Sequence, residues 1–272
     1  MQSLENITKE LISFRTVKGH DEEFSKGFEF IEQFFRKTDL EIQEHNINGF
    51  KTVVVSSNED PDILLHGHLD VVSADENELF EASEDEEKIY GRGVADMKSG
   101  LACMMKTVKE LSEEDRLGSV GLMVVSDEEI GGFNGAEPLS TEYDPNFALS
   151  AEPNSGEYEM QIVTKQKGVV RLELEVEGQR AHGSQPWNGE NAVEKLYDRY
   201  TQFKSNFKNK KDEWTTTINL GNFNSDGAVN VVPGSAKAGV DIRYTEEYTP
   251  EEIRKDLESI DGLDWNFSSI DP

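Results

Sequence analysis

Five segments of this chain place side chains that can hold a metal ion or move a proton directly after, or in a loop beyond, an apolar run. In LLHGHLDVV, His66, His68 and Asp70 stand two apart, so an extended backbone turns them to one side. A carboxylate so placed can orient an imidazole that ligates a metal. Spacing alone does not choose between the two histidines. GRGVADMKSG is a glycine-rich turn leading into a helix, with Asp96 at the helix start. A phosphate loop needs glycine just before Lys-Ser, where Met97 stands, and a dinucleotide fingerprint would set Asp96 against a pyrophosphate. Both nucleotide readings fail, which leaves Asp96 as a helix cap or a metal ligand.

In VVSDEEIGG, the acids Asp127, Glu128 and Glu129 follow an apolar strand. Adjacent carboxylates repel one another unless a cation lies among them. One can then bind metal while its neighbour holds a water; a solvated acidic turn is the plain alternative. ALSAEPN sets Glu152 after another apolar run, with Pro153 forcing a turn. GQRAHGSQPWNGENAV carries His182 in a polar loop, a setting in which a histidine is usually only a surface residue. Asn230 in NVVPGS and Arg243 in DIRY could hold an oxyanion or a substrate carboxylate.

The elements that must position these residues alternate. SLENITKELISF and DEEFSKGFEFIEQFFRKT have helical apolar spacing. KTVVVS, DILLHG, SVGLMVVS and FALSAE read as strands, with a helix over roughly 98–111 between two of them. That alternation predicts an α/β domain with a mostly parallel sheet flanked by helices, whose active-site loops lie at the carboxyl ends of strands. From about Gly168 the pattern becomes βαββαβ, a ferredoxin-like layer of helices on an antiparallel sheet. The reading is two domains, 1–167 and 168–272.

The 55 acidic residues against 27 basic ones give a net charge of −28, spread along all 272 residues. Such a surface repels a phosphate backbone, which argues against nucleic-acid binding, and it fits either an ordinary solvated surface or adaptation to high salt. With 35% hydrophobic residues the chain can bury a core. It has no apolar run long enough for a bilayer and no basic, apolar leader at its start, so no membrane partner is expected. These features predict a soluble, cytoplasmic protein. Cys103 cannot form an internal disulfide and reads as a small buried hydrophobe in LACMMKTVKEL.

Taken together, HGHLDVV, GRGVADMKSG, SDEEIGG and RAHGSQPWNGENAV resemble the co-catalytic zinc amidohydrolases and exopeptidases. That family includes acetylornithine deacetylase, succinyl-diaminopimelate desuccinylase and carboxypeptidase G, and the likeness runs from the first helix to the last residue. The resemblance implies a zinc-peptidase-like catalytic domain over 1–167 and a lid and dimerisation domain over 168–272. It makes His68, Asp96 and Glu152 ligands to one zinc, with Asp70 orienting His68. Asp96 then bridges to a second zinc held by Glu129, and Glu128 is the general base. His182 becomes the histidine that reaches a partner subunit's site in a homodimer, and Asn230 and Arg243 lie near the substrate. Zn2+ is the implied metal, one ion or two, with Co2+ or Mn2+ as substitutes; the implied substrate is a small N-acyl amino acid or peptide.

Two departures follow from the same comparison. AEPN stands where the family commonly has GEPT or GEPS, which leaves Glu152 intact. No histidine follows His182, so the family's last ligand to the second zinc has no counterpart. The resemblance therefore implies a catalytic domain incomplete at its C-terminal end, as in a truncated or split gene.

Overall fold

The computed structural model describes residues 2–74, 77–153, 162–211 and 214–271. It divides into two compact units, residues 1–161 and 162–272.

In the first unit, α1 (Leu4–Ser13) starts on a Ser3 side chain that accepts from the Asn6 N–H and buries Ile7, Thr8, Leu11 and Ile12 along one stripe. Helix α2 (Asp21–Phe35) opens on Asp21, Glu22 and Glu23, which favour the positive end of the helix dipole, and buries Phe28, Ile31 and Phe35. Strands β1 (Glu41–Ile47) and β2 (Phe50–Ser56) form a hairpin in which Ile47 faces Phe50. Its two-residue loop, Asn48-Gly49, has positive φ at both positions (54° and 90°), the combination that matches the twist of paired strands.

Strand β3 (Ile63–His68) is followed by a small ribbon of β4 (Ser83–Glu84) and β5 (Ile89–Tyr90). Then come α3 (Ser99–Glu113), β6 (Val120–Val125), α4 (Ala136–Glu142) and β7 (Phe147–Ser150). The sheet order is β1-β2-β6-β3-β7. Helices α1 to α3 pack Leu11, Phe28, Phe35, Leu101 and Met105 against Val53, Val55, Leu122 and Val124 on one face. Leu139 and Tyr143 cover Val54, Met123 and Val125 on the other. Full burial of a phenylalanine such as Phe28 or Phe35 contributes about 1.5–3 kcal/mol.

The expected helix-flanked α/β layer is present, but the sheet is mixed and not mostly parallel. Only β3–β6 and β3–β7 are parallel; β1–β2 and β2–β6 are antiparallel. The strand that changes the count is β1. Its sequence, EIQEHNI, is polar because it lies half-exposed at the sheet edge, so no apolar run marks it. Cys103 is also corrected: it is exposed on α3, while its neighbours Ala102 and Met104 turn inward.

The second unit contains β8 (Gly168–Glu177), β9 (Ala181–His182), α5 (Ala192–Lys204), β10 (Thr217–Ser225), β11 (Val231–Val232), β12 (Ser235–Tyr244), α6 (Pro250–Glu258) and β13 (Asp264–Asp271). The four long strands pair antiparallel in the order β10-β12-β8-β13, the βαββαβ arrangement read from the sequence. Alternation decides which face is covered. Val170, Leu172, Leu174 and Val176 of β8 are buried with Leu196, Phe203, Ile253 and Leu257 of the helices, while Arg171 and Glu173 face outward. Both helices have satisfied starts. The Asn191 side chain accepts from the Val193 and Glu194 N–H groups, and Thr249 and Glu252 form a reciprocal box behind Pro250.

Candidate metal centre

The ends of β3, β6 and β7 deliver the first unit's chemistry-bearing side chains, with Asp96 arriving from the approach to α3. His68 is the last residue of β3 and fully buried. Its Nδ1–H donates to the Asp70 carbonyl at 2.9 Å, and an Asp70 carboxylate oxygen lies 3.4 Å away. A carbonyl can only accept, so this bond leaves Nε2 as the nitrogen that faces the centre. Around Nε2 stand Asp96 Oδ1 at 3.0 Å, Glu152 Oε1 at 3.5 Å and Glu128 Oε2 at 3.8 Å. Asp96 sits in an irregular turn, Val94–Lys98, where its backbone leaves helical geometry (φ −117°, ψ 101°). It is not a helix cap in this structure: the N-terminal cap of α3 is Lys98.

Among the described residues, one donor atom each from His68, Glu128 and Glu152 lie within 4.8 Å of one another. That set includes Glu128 where the family pattern places Asp96, although Asp96 is nearer to Nε2. Glu129 is held differently. Its backbone N–H donates to Asp70 Oδ2 at 2.8 Å, and its Oε1 accepts from the Val72 N–H at 3.3 Å. Asp70 therefore touches both His68 and the Glu129 backbone. Asp127, the first of the three acids, is fully buried and turned away; its Oδ2 accepts from the Asn134 N–H at 2.7 Å. His66 lies along the same strand, and its Nε2 has no hydrogen-bond partner among the described residues.

The electrostatics fit a cation. Burial opposes charge on His68, but the Asp70 hydrogen bond and the charges of Asp70, Glu152 and Glu128 outweigh it and push its pKa up to about 9. Burial, then repulsion from Asp96 and Glu128 against the pull of His68, lifts Glu152 to about 7. Burial also raises Glu128, with Asp70, Asp96 and Asp127 adding to it against His68, and it raises Glu129, with Asp96 next. Carboxylates crowded to this degree, facing a single imidazole, form a nitrogen-and-oxygen donor set of the kind zinc, cobalt and manganese accept.

Sequence reasoning passed over Lys98, read only as the start of a helix. It is fully buried, its Nζ donates to the Phe14 carbonyl at 2.8 Å, and burial draws its pKa down to about 7. A lysine next to serine and glycine carries no signal of burial. In the second unit, His182 is exposed on β9, which pairs with β11. The Ser184 N–H donates to its Nδ1 at 3.2 Å, which leaves Nε2–H directed elsewhere. Arg243 pairs with Asp241 at 2.8 Å, and the Asn230 carbonyl accepts from the Gly183 N–H. Asn154 of the AEPN motif lies outside the described residues.

One glycine guards the centre. A Cβ on Gly100 of α3 would stand 2.4 Å from the Ala151 carbonyl oxygen, one residue before Glu152. Gly100→Ala is expected to destabilise the chain by about 1–3 kcal/mol through overpacking and to shift Glu152. Urea unfolding measures the first effect and metal affinity the second.

A mixed sheet thus carries an acid-rich, histidine-centred cluster at its strand ends, a candidate metal centre. The model of the family described as Peptidase family M20/M25/M40 matches residues 64–255, and the chain belongs to that family. It is thereby a metal-dependent amidohydrolase of the peptidase and desuccinylase type. Succinyl-diaminopimelate desuccinylase of Rickettsia massiliae is 30% identical over 285 residues, spanning 94% of this chain and 72% of the relative. The Rickettsia canadensis protein of that name is 29% identical over 284 residues, spanning 93% and 71%. In fold, the chain is similar to the M20 family metallo-carboxypeptidase Sso-CP2 from Sulfolobus solfataricus (TM-score 0.71, 17% identity, 99% of this chain and 79% of that one). It is also similar to aminopeptidase PepT from Bacillus cereus (TM-score 0.72, 17% identity, 97% and 74%). No helix among the described residues is long and apolar enough to cross a membrane.

Proposed function

We propose that this chain hydrolyses the amide bond of small N-acyl amino acids or peptides, with Glu128 as general base. The observation that carries the reading is the convergence of Asp96, Glu128 and Glu152 on the buried Nε2 of His68. His68, Asp96 and Glu152 would hold one zinc, whereas Asp96 and Glu129 give a second only two protein ligands, too few to hold it well. Bound zinc supplies polarisation of the amide carbonyl and a lower pKa for the attacking water.

The protein's own groups do the rest. Asp70 fixes the His68 ring through its carbonyl and the Glu129 backbone through its carboxylate, so one residue sets two donors. Glu128 is half-exposed and has its pKa raised, which suits a carboxylate that must take a proton and give it back. It accepts the proton of the attacking water. As the water oxygen bonds to the carbonyl carbon and the C–N bond breaks, it returns that proton to the leaving amine.

A cleft of about 860 Å3 lies beside the centre, bounded by Asp70, Ser126 and Glu129 and by Phe24, Phe28 and Phe50. It is large enough for a small amide substrate. In this reading the second unit is a lid through which a homodimer forms, and His182 offers its Nε2–H to the oxyanion in a partner's site.

Hydrolysis of N-succinyl-diaminopimelate, N-acetylornithine and a set of dipeptides, with zinc added and then chelated, tests the proposal. Zinc-dependent release of a free amine from one of them is expected. A chain that binds zinc and hydrolyses none of them is instead a member that binds ligand or dimerises without turnover.

A further inference from the structure

Asp70 is the hub of the centre, and something must hold the hub. Residues 69–71 follow β3 and belong to no strand among the described residues. Leu69 N–H donates to the Val125 carbonyl at the end of β6, at 2.9 Å. Two further anchors come from one residue in the segment after α1. Thr16 is fully buried, and its Oγ1–H donates to the Leu69 carbonyl at 2.5 Å. Its own carbonyl accepts from the Val71 N–H at 2.9 Å. One threonine thus grips the backbone on both sides of Asp70.

The grip is itself braced. Lys98 Nζ donates to the Phe14 carbonyl at 2.8 Å, tying the Thr16 segment to the turn that carries Asp96. The chain of contacts runs Lys98–Phe14, Thr16–Leu69/Val71, Asp70, and then His68 and Glu129.

We infer that Thr16 is a positioning residue for the metal centre: its hydroxyl on the Leu69 carbonyl and its own carbonyl on the Val71 N–H hold the two peptides that flank Asp70, the residue that contacts both His68 and the Glu129 backbone. This rests on the metal-centre reading proposed above. Groups that orient metal ligands typically govern affinity by about 10–100-fold. Valine matches threonine in shape but carries a methyl where the hydroxyl was, so it keeps the packing and loses the donor. Serine keeps the donor and loses the methyl.

The test uses the full chain and titrates Zn2+ against a chromophoric chelator. Thr16→Val is expected to weaken zinc binding about 10–100-fold, while Thr16→Ser stays within about threefold of wild type. Thr8→Val is the matched control: Thr8 is a buried threonine of α1 whose hydroxyl donates to the Leu4 carbonyl of the same helix at 3.0 Å. It should also stay within about threefold. Amide hydrogen exchange at Glu129 in the metal-free chain is the second readout, with faster exchange expected in Thr16→Val alone. If that variant does not fold, Thr16→Ala takes its place in both arms. Wild-type zinc affinity in Thr16→Val, or an equal fall in Thr16→Ser, overturns the inference. A wild-type chain that holds no zinc overturns the metal-centre reading instead. The exchange arm then still decides whether Thr16 sets the Asp70–Glu129 contact.

Discussion

Glu128→Gln is expected to lower kcat by about 10²–10⁴-fold while leaving the zinc content of the chain unchanged. Glutamine matches glutamate in size and still accepts a hydrogen bond, but it cannot take and return a proton at neutral pH. The two quantities together separate two roles that geometry leaves side by side. Glu128 lies with His68 and Glu152 in one set of donor atoms within 4.8 Å of one another, its Oε2 3.8 Å from the imidazole. Its side chain is 42% exposed, between Glu152 at 37% and Asp96 at 55%, so exposure does not separate the two roles. A general base loses turnover and keeps metal; a ligand loses both. Zinc quantified by atomic absorption alongside steady-state kinetics reads the difference. If zinc leaves together with activity, Glu128 is a ligand and the base must be sought elsewhere. Unchanged turnover in the variant removes Glu128 from the chemistry altogether.

The sequence was most legible where local chemistry has few solutions. His68, Asp96, Glu128 and Glu152 each follow an apolar strand or stand at a turn into a helix, and the parallel pairing of β3 with β6 and β7 brings three of those strand ends to one place. The βαββαβ order of the second unit was equally plain, because β8 alternates buried and exposed residues along nearly its whole length. Reading failed where an element buries little. Strand β1 is half-exposed and polar, so the hairpin that makes the sheet mixed left only Asn48-Gly49 as a trace.

Lys98 and Thr16 were illegible for a different reason. Their partners, the Phe14 and Leu69 carbonyls, are backbone atoms that any sequence supplies. Contacts of that kind are long-range facts of the fold and leave no residue pattern behind. Asp70 shows both sides: its spacing from His68 pointed to a shared face, whereas its bond to the Glu129 backbone appeared only in three dimensions.

His68→Ala should abolish the stabilisation that zinc gives the chain. For a metal that binds only the folded state, stabilisation is RT ln(1 + [Zn]/Kd), about 2.7 kcal/mol at a hundredfold excess over Kd. For a chain of this size that corresponds to a rise in thermal midpoint of roughly 5–10 °C. Removing His68 takes away the imidazole of the donor set and leaves carboxylates that repel one another, with Asp70 no longer orienting a ligand. Asp96 and Glu152 alone should hold zinc too weakly to move the midpoint at the same concentration. His66→Ala supplies the contrast. His66 sits on the same strand and its burial, then the charge of His68, draws its pKa down to about 4, but the contacts among the carboxylates run to His68. That variant should lower the metal-free midpoint by the cost of a partly buried side chain and keep the full zinc-dependent rise. Thermal melts of the wild type and both variants, each with zinc and with chelator, decide it. A zinc shift retained in His68→Ala and lost in His66→Ala would transfer the ligand role to the histidine two residues earlier, and with it the orienting role assigned to Asp70.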